Sequence, residues 1–273
     1  MDNPVGDGKV RIAAHRGSWG GSIFPNTISA FENALVQGAD IIEMDVVKSR
    51  DDQFFVLNDE QIPSVLDLDQ DIFSMTAEQM KNTHYLSYTF RKPQKECINS
   101  LDAVLEHFKG RCLINLDRSW NFWPELFPVL KDHAMFDQII LKSPPVATQL
   151  QYLENFGLHQ MYMPIIKRPE DRELANQYNV NKVAVEIVFN SEQSAVVAPS
   201  FLHSLQKEGL ALWVNTLTLT DDINLCAGHD DRSAIAEGQE KHWGWLLDRG
   251  FTIFQSDWPL LLRTYLQERK KSQ

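Results

Sequence analysis

Glu43 and Asp45 stand two residues apart in the run Asp40 to Val46. On a β-strand, residues i and i+2 share a face, so both carboxylates point the same way. Facing inward, two such charges repel unless a cation or a shared proton lies between them. A third acid, Asp117, closes the run Leu113 to Asp117 and would add another oxygen ligand from the next strand. Three carboxylates completed by water suit a hard cation, Mg²⁺ or Ca²⁺. No His/Cys cluster argues for zinc. Taken alone, the acid pair also fits an edge strand facing water, where Asp and Glu ordinarily sit. His15-Arg16-Gly17 follows another apolar run. Histidine can move a proton near neutral pH, and arginine can grip a phosphate through two parallel hydrogen bonds; a loop ion pair is the plainer reading. The segment from Gly17 to Gly21 could cradle a phosphate with backbone N–H groups or form a simple turn. Lys142 offers a cation and Trp213 an aromatic wall; a snorkelling lysine and a core tryptophan fit equally well.

These residues need elements to position them. Short apolar runs recur, separated by helical patterns. The strands read as Arg11 to Ala14, Asp40 to Val46, Leu113 to Asp117, Gln138 to Lys142, Met161 to Ile165, Lys182 to Val188, Ala211 to Asn215 and Phe251 to Ser256. Helices are expected over Thr27 to Gln37, Val146 to Phe156, Glu192 to Glu208 and Lys241 to Arg249. Thr27 is a good N-cap, Ile28, Phe31 and Leu35 form a stripe at helical spacing, and Gly38 stops the helix. Eight strands alternating with helices predict an α/β fold, a TIM (β/α)8 barrel, in one domain over residues 1–273. Residues 47–99 break the rhythm and predict an insertion after the second strand, over the strand C-termini. Within it lie the short run Phe54 to Leu57 and a helix near Thr76 to Asn82, with no strand of barrel type. In a barrel, catalytic groups gather where strands end and βα loops begin. The polar strand-end residues are His15, Arg16, Glu43, Asp45, Asn115, Asp117, Lys142, Glu186, Trp213, Asn215 and Asp257.

Composition narrows the partners. The net charge of -11 makes nucleic acid a poor partner, because polyanions are held by clustered Lys and Arg. The one basic run, Arg269 to Lys271, suits the C-terminal end of a last helix. Cys97, Cys112 and Cys226 show no CxxC spacing, and their odd number suits no disulfide framework. They fit a reducing cytoplasm, with Cys112 in the core. No apolar run approaches the roughly 18–20 residues of a membrane span, and the N-terminus has no apolar signal core. The expectation is a cytoplasmic protein with a small-molecule substrate.

The order of the motifs is more specific than any one of them. His15-Arg16-Gly17, Asn26-Thr27, Ala30-Phe31, Gly38-Ala39-Asp40, then Glu43 and Asp45, resembles the glycerophosphodiester phosphodiesterase family, whose block reads HRG, PENT, AF, GAD and E-x-D. Asn115-Leu116-Asp117 is similar to the family's N-I-E strand, Trp213-Val214-Asn215 to its W-T-V-N strand, and Ser256-Asp257-x-Pro259 to its T-D-x-P. The resemblance covers most of the chain in the family's order. It implies a TIM barrel with a small insertion after strand two. It also implies a divalent metal on Glu43, Asp45 and Asp117, a phosphate held by that metal and Arg16, and His15 as acid/base. The implied reaction converts a glycerophosphodiester-like substrate to an alcohol and a phosphomonoester, by way of a cyclic phosphate.

The departures bear on turnover. Asn58, in Leu57-Asn58-Asp59, stands where the family has its second histidine, and an amide exchanges no proton near neutral pH. Pro25 replaces the PENT glutamate, and Asp117 replaces the N-I-E glutamate with one methylene less. Ser119 stands where the family has a lysine, so Lys142 is the candidate cation for phosphate. Trp19, Trp213 and Trp258 are candidates for the leaving-group pocket. The alternative function is a binding protein that keeps metal and phosphodiester but has lost turnover through Asn58, natural or introduced. His84 is the candidate to move the proton should Asn58 not do so.

Overall fold

In the computed structural model, residues 3–61, 66, 68 and 71–272 are described. Eight parallel strands form the wall of a barrel. They are β1 (Arg11–Ala14), β2 (Ile41–Lys48), β3 (Leu113–Asp117), β4 (Ile139–Ser143), β5 (Met161–Ile166), β6 (Ala184–Ile187), β7 (Ala211–Asn215) and β8 (Ile253–Ser256). Each pairs with its neighbour in this order, and β8 returns to β1, which closes the ring. The predicted barrel is borne out.

Alternation along the strands sorts the side chains. On β2, Ile42, Met44 and Val46 join the apolar layer under the helices, with Ile114, Leu116 and Leu141. Ile12, Val214 and Phe254 do the same on the other side. The opposite phase faces the barrel interior. Its lower level is apolar and includes Ala13, Ile41, Ile140, Met163, Trp213 and Ile253. Two residues further along come His15, Glu43, Lys142, Asn215 and Gln255, joined by Asn115 of β3, all buried. The interior therefore changes from hydrocarbon to polar toward the strand C-termini, where a barrel carries its chemistry.

Differences from the sequence expectation have local causes. The helix expected over Glu192 to Glu208 is a short turn, Ala195–Val197, followed by a helix at Pro199–Lys207. Pro199 has no N–H and holds Ala198 in an extended conformation, which separates the two. Lys241 to Arg249 forms a π-helical turn, Glu240–Gly244, running into a helix at Trp245–Asp248. The run Lys182 to Val188 is split. Asn181–Lys182 adds only a short pairing to β5, and the barrel strand proper is Ala184–Ile187. Cys112 is half-buried against the core.

Between residues 47 and 99 the described part contains several small elements. Phe54–Val56 pairs antiparallel with the end of β2 and with Asn99–Ser100. His84–Leu86 and Pro93–Cys97 form a hairpin. A helix, Ala77–Lys81, starts at Thr76 with a reciprocal cap from Gln79. Residues 62–65, 67, 69 and 70 of this segment lie outside the described residues. These pieces bury their own apolar cluster, including Phe24, Phe55, Leu57, Met80 and Tyr85. Among the described residues no helix is long and apolar enough to cross a membrane.

Candidate active site

Register brings the acids together. β2 and β3 pair so that Glu43 lies opposite Asn115 and Asp45 opposite Asp117. Glu43, Asp45 and Asp117 each present a carboxylate oxygen, and these three atoms lie within 4.8 Å of one another. Glu43 is fully enclosed, and its Oε1 has no hydrogen-bond partner among the described residues, whereas Oε2 accepts from the Arg16 N–H at 2.9 Å. A buried carboxylate oxygen without a donor is costly unless a cation meets it. Three oxygen ligands of this kind fit a hard divalent ion such as Mg²⁺ or Ca²⁺.

The loop after β1 is shaped to reach this cluster. Arg16 and Asn26 both adopt left-handed backbone angles, and Gly17 has a positive φ of 79°. A Cβ on Gly17 would lie 2.6 Å from the Ala30 carbonyl carbon, so only glycine lets the loop pass that helix. Arg16 Nε comes to 2.8 Å from Asp45 Oδ2; it forms an ion pair without hydrogen-bond alignment. Asn26 meets Asp45 twice. Its Nδ2 donates to Oδ2 at 3.0 Å, and its Oδ1 accepts from the Asp45 N–H at 3.1 Å. Thr27 then caps the following helix, Ile28–Val36, as its sequence position predicts.

His15 and Asp257 join the two ends of the sheet. His15 Nδ1 lies 2.8 Å from Asp257 Oδ1. An ionised carboxylate only accepts, so Nδ1 carries the hydrogen and Nε2 keeps a free lone pair. Asp257 is held in turn by Asp231, a buried acid that accepts from the Asp257 N–H and from Ser256 Oγ, each at 2.9 Å. Burial pushes the Asp231 carboxyl up to about 7, against the pull of its hydrogen-bond donors.

Lys142 lies among acids. Its Nζ is 2.8 Å from Asp117 Oδ2 and 3.1 Å from Glu186 Oε2, with almost no exposure. Burial pulls this ammonium down, but the surrounding carboxylates outweigh burial and hold it above its ordinary value. For Asp117, burial acts upward, yet Lys142 and Arg118 bring the carboxyl below its usual value. Glu43 goes the other way. Burial first, and then the charge of Asp45, raise it well above the carboxylate range. The ammonium expected to meet phosphate is thus committed to Asp117 and Glu186.

Trp213 requires a correction. It is fully buried, and its Nε1 donates to Asn215 Oδ1 at 2.9 Å and Gln255 Oε1 at 3.1 Å. It fills the barrel interior beneath the polar level and does not line a substrate pocket. Trp19 and Trp258, in the loops after β1 and β8, are exposed. Asn58 is buried next to the site. His84 lies in the hairpin, where its Nδ1 donates to the Gln94 carbonyl.

Arg118 was not foreseen. The next residue on a strand faces the opposite side, so Arg118 reads as pointing away from Asp117. The strand ends there, however, and Arg118 turns left-handed with a φ of 53°. Its side chain comes back over Asp45 (Nε to Oδ1, 3.4 Å) and reaches Asp59 at 3.1 Å and Glu60 at 2.8 Å. Gln255 and Asp231 carry no sequence motif that marks them.

Comparison with known proteins agrees with this fold. The DUF4996 family model, described as a domain of unknown function, matches residues 162–266. A glycerophosphodiester phosphodiesterase of Bacillus altitudinis is 33% identical over 110 residues, which is 40% of this chain and 44% of that protein. The matches span less than half the length of the first curated relatives. Among solved structures, a glycerophosphoryl diester phosphodiesterase from Parabacteroides distasonis superposes with a TM-score of 0.74 at 14% identity, covering 93% of this chain and 85% of that one. A phosphodiesterase from Oleispira antarctica, solved with the product sn-glycerol-3-phosphate, gives a TM-score of 0.70 at 17% identity, covering 94% and 96%. At these identities the structures establish the shared fold. Together with the curated relatives, they bear out the resemblance to the glycerophosphodiester phosphodiesterase family.

Proposed function

We propose that this protein hydrolyses a glycerophosphodiester-like substrate to an alcohol and a phosphomonoester, using a divalent cation. The observation that carries the reading is the meeting of Glu43, Asp45 and Asp117 at the C-terminal mouth of the barrel, with Arg16 beside them. Mg²⁺ or Ca²⁺ held by these three would neutralise charge on the non-bridging oxygens. Arg16 binds the phosphate with its guanidinium, whose terminal nitrogens remain beyond the Nε contact to Asp45. His15 accepts the proton of the attacking hydroxyl at Nε2, while Asp257 fixes its tautomer and stabilises the imidazolium that results. Lys142 neutralises Asp117 and Glu186 from within the same polar level, so that the acids can share one small volume. Trp19 and Trp258 flank the mouth and would contact the leaving group. The free thiols support a reducing, cytoplasmic setting.

The test is release of glycerol 3-phosphate from glycerophosphodiesters in the presence of Mg²⁺ or Ca²⁺, with and without a chelator. Turnover should stop with the chelator and in Asp45→Asn. Turnover unchanged by both would remove the metal from the reading, and no turnover of any such diester would remove the activity.

A further inference from the structure

Resting on that reading, we infer that Asn58 is a catalytic residue that donates a hydrogen bond, not a proton, to the leaving-group oxygen. The site would then be suited to phosphodiesters whose alcohol can depart as an anion.

Asn58 is tied to the carboxylate cluster on both sides. The N–H of Leu57 donates to the Asp45 carbonyl at 3.0 Å. Asp59 receives Arg118, whose Nε lies 3.4 Å from Asp45 Oδ1. The Asn58 side chain is therefore at the edge of the site, and it is 1% exposed. Its Oδ1 accepts from the Glu60 N–H at 3.1 Å. That bond fixes the amide, because a backbone N–H can only face the oxygen. Nδ2 is then committed to the other side, where it is buried with no partner among the described residues. Buried donors are rarely left unpaired unless something else binds there. Asn58 therefore keeps an unpaired donor, fixed by its own oxygen, in the segment whose neighbours on both sides are tied to Asp45.

An amide N–H stabilises developing negative charge without moving its proton. In the step, the neighbouring glyceryl hydroxyl oxygen forms the new P–O bond and gives its proton to His15 Nε2. The bond from phosphorus to the leaving oxygen breaks, and that oxygen takes the electron pair. It leaves as an alkoxide or phenoxide, hydrogen-bonded to Asn58, and takes a proton from water; the hydroxide so formed opens the cyclic phosphate to the phosphomonoester, whose released glyceryl oxygen takes the proton back from His15. The rate then depends steeply on how well the leaving group bears charge.

The experiment compares nitrophenyl, phenyl and ethyl esters of glycerol 3-phosphate on the full chain with its divalent cation. The native protein should cleave the nitrophenyl ester at least ~10³-fold faster than the ethyl ester. Asn58→His supplies an acid and should raise the ethyl-ester kcat ten-fold or more, within the ~10²–10⁴-fold range of such groups, and so flatten the series. Asn58→Leu keeps the size without the donor, and should slow all three esters by about 10²-fold. Its binding of glycerol 3-phosphate, followed by calorimetry, should change much less, which also reports that the variant is folded. Equal native rates across the series, or an Asn58→Leu variant as fast as the native protein, would overturn the inference while leaving the proposed activity intact. No cleavage of any ester by the native protein would overturn both.

Discussion

Replacing Lys142 with methionine tests the charge arrangement within the site. The ammonium sits 2.8 Å from Asp117 and 3.1 Å from Glu186, with 3% of its side chain exposed. At an effective dielectric of about 20, each contact is a gross attraction of about 5–6 kcal/mol, most of it offset by desolvation of the ammonium. Methionine keeps much of the stem's packing but leaves two carboxylates beside Glu43 without their counter-ion. Breaking a buried pair from one side costs about 3–5 kcal/mol. The metal-free variant should therefore lose about 3–5 kcal/mol in urea unfolding at pH 7, or roughly 6–20 °C in Tm. The loss should fade in acid. Although burial raises it, Asp117 has a net depressed carboxyl through Lys142, so its contribution is present above the unfolded value of 3.8 and disappears as the pH falls through the folded one. Mg²⁺ or Ca²⁺ should restore part of the loss, since a cation on the carboxylates replaces some of the missing charge. A loss below about 1 kcal/mol at pH 7, or one independent of pH, would refute the account of Lys142 as the structural counter-ion.

Three further outcomes are expected. Arg16→Ala should weaken calorimetric binding of glycerol 3-phosphate by about 2–5 kcal/mol, the range for truncating one partner of a buried charge pair; unchanged affinity would take Arg16 off the phosphate. Gly17→Ala meets both a positive φ and a 2.6 Å clash with the Ala30 backbone, so it should destabilise by about 2–3 kcal/mol and distort the His15–Arg16 loop. A thermal melt within 1–2 °C of the native protein, about the shift of a minor surface change, would contradict this. Glu32 is held at about 2, below its ordinary 4.5, by Arg111 and then His107. Its contribution is present above pH 4.5 and lost as the pH falls toward 2, and for so exposed a pair it should stay under about 1 kcal/mol. Comparing Glu32→Gln with the native protein by urea unfolding at pH 7 and pH 2 checks this, and a difference that persists at pH 2 would contradict it.

Much of the barrel was legible in the sequence because its signal is local. Runs such as Leu113 to Asp117 and Ala211 to Asn215 are apolar, short and separated by helical stretches, and both strands have those bounds. The pairing of Glu43 with Asp45 on one face was likewise a matter of strand period, and Thr27 and Gly38 mark their helix by local chemistry, a side-chain cap at one end and a positive φ at the other. Boundaries failed where a single residue overrode the pattern, as Pro199 did in dividing the expected helix. What the tertiary structure decided were relations between strands. Asp117 faces Asp45 because of the β2–β3 register, a property of two segments more than sixty residues apart. Lys142 serves carboxylates because β6 carries Glu186 across the barrel to it. Trp213 was assignable to either wall or core until its partners, Asn215 and Gln255, placed it below the polar level. Arg118 defeats strand alternation through one left-handed residue at a strand end, a conformation that no neighbouring residue type announces. Spacing along a chain determines which face a side chain takes, but the charge it meets there depends on register and loop geometry, which only packing of the whole barrel sets.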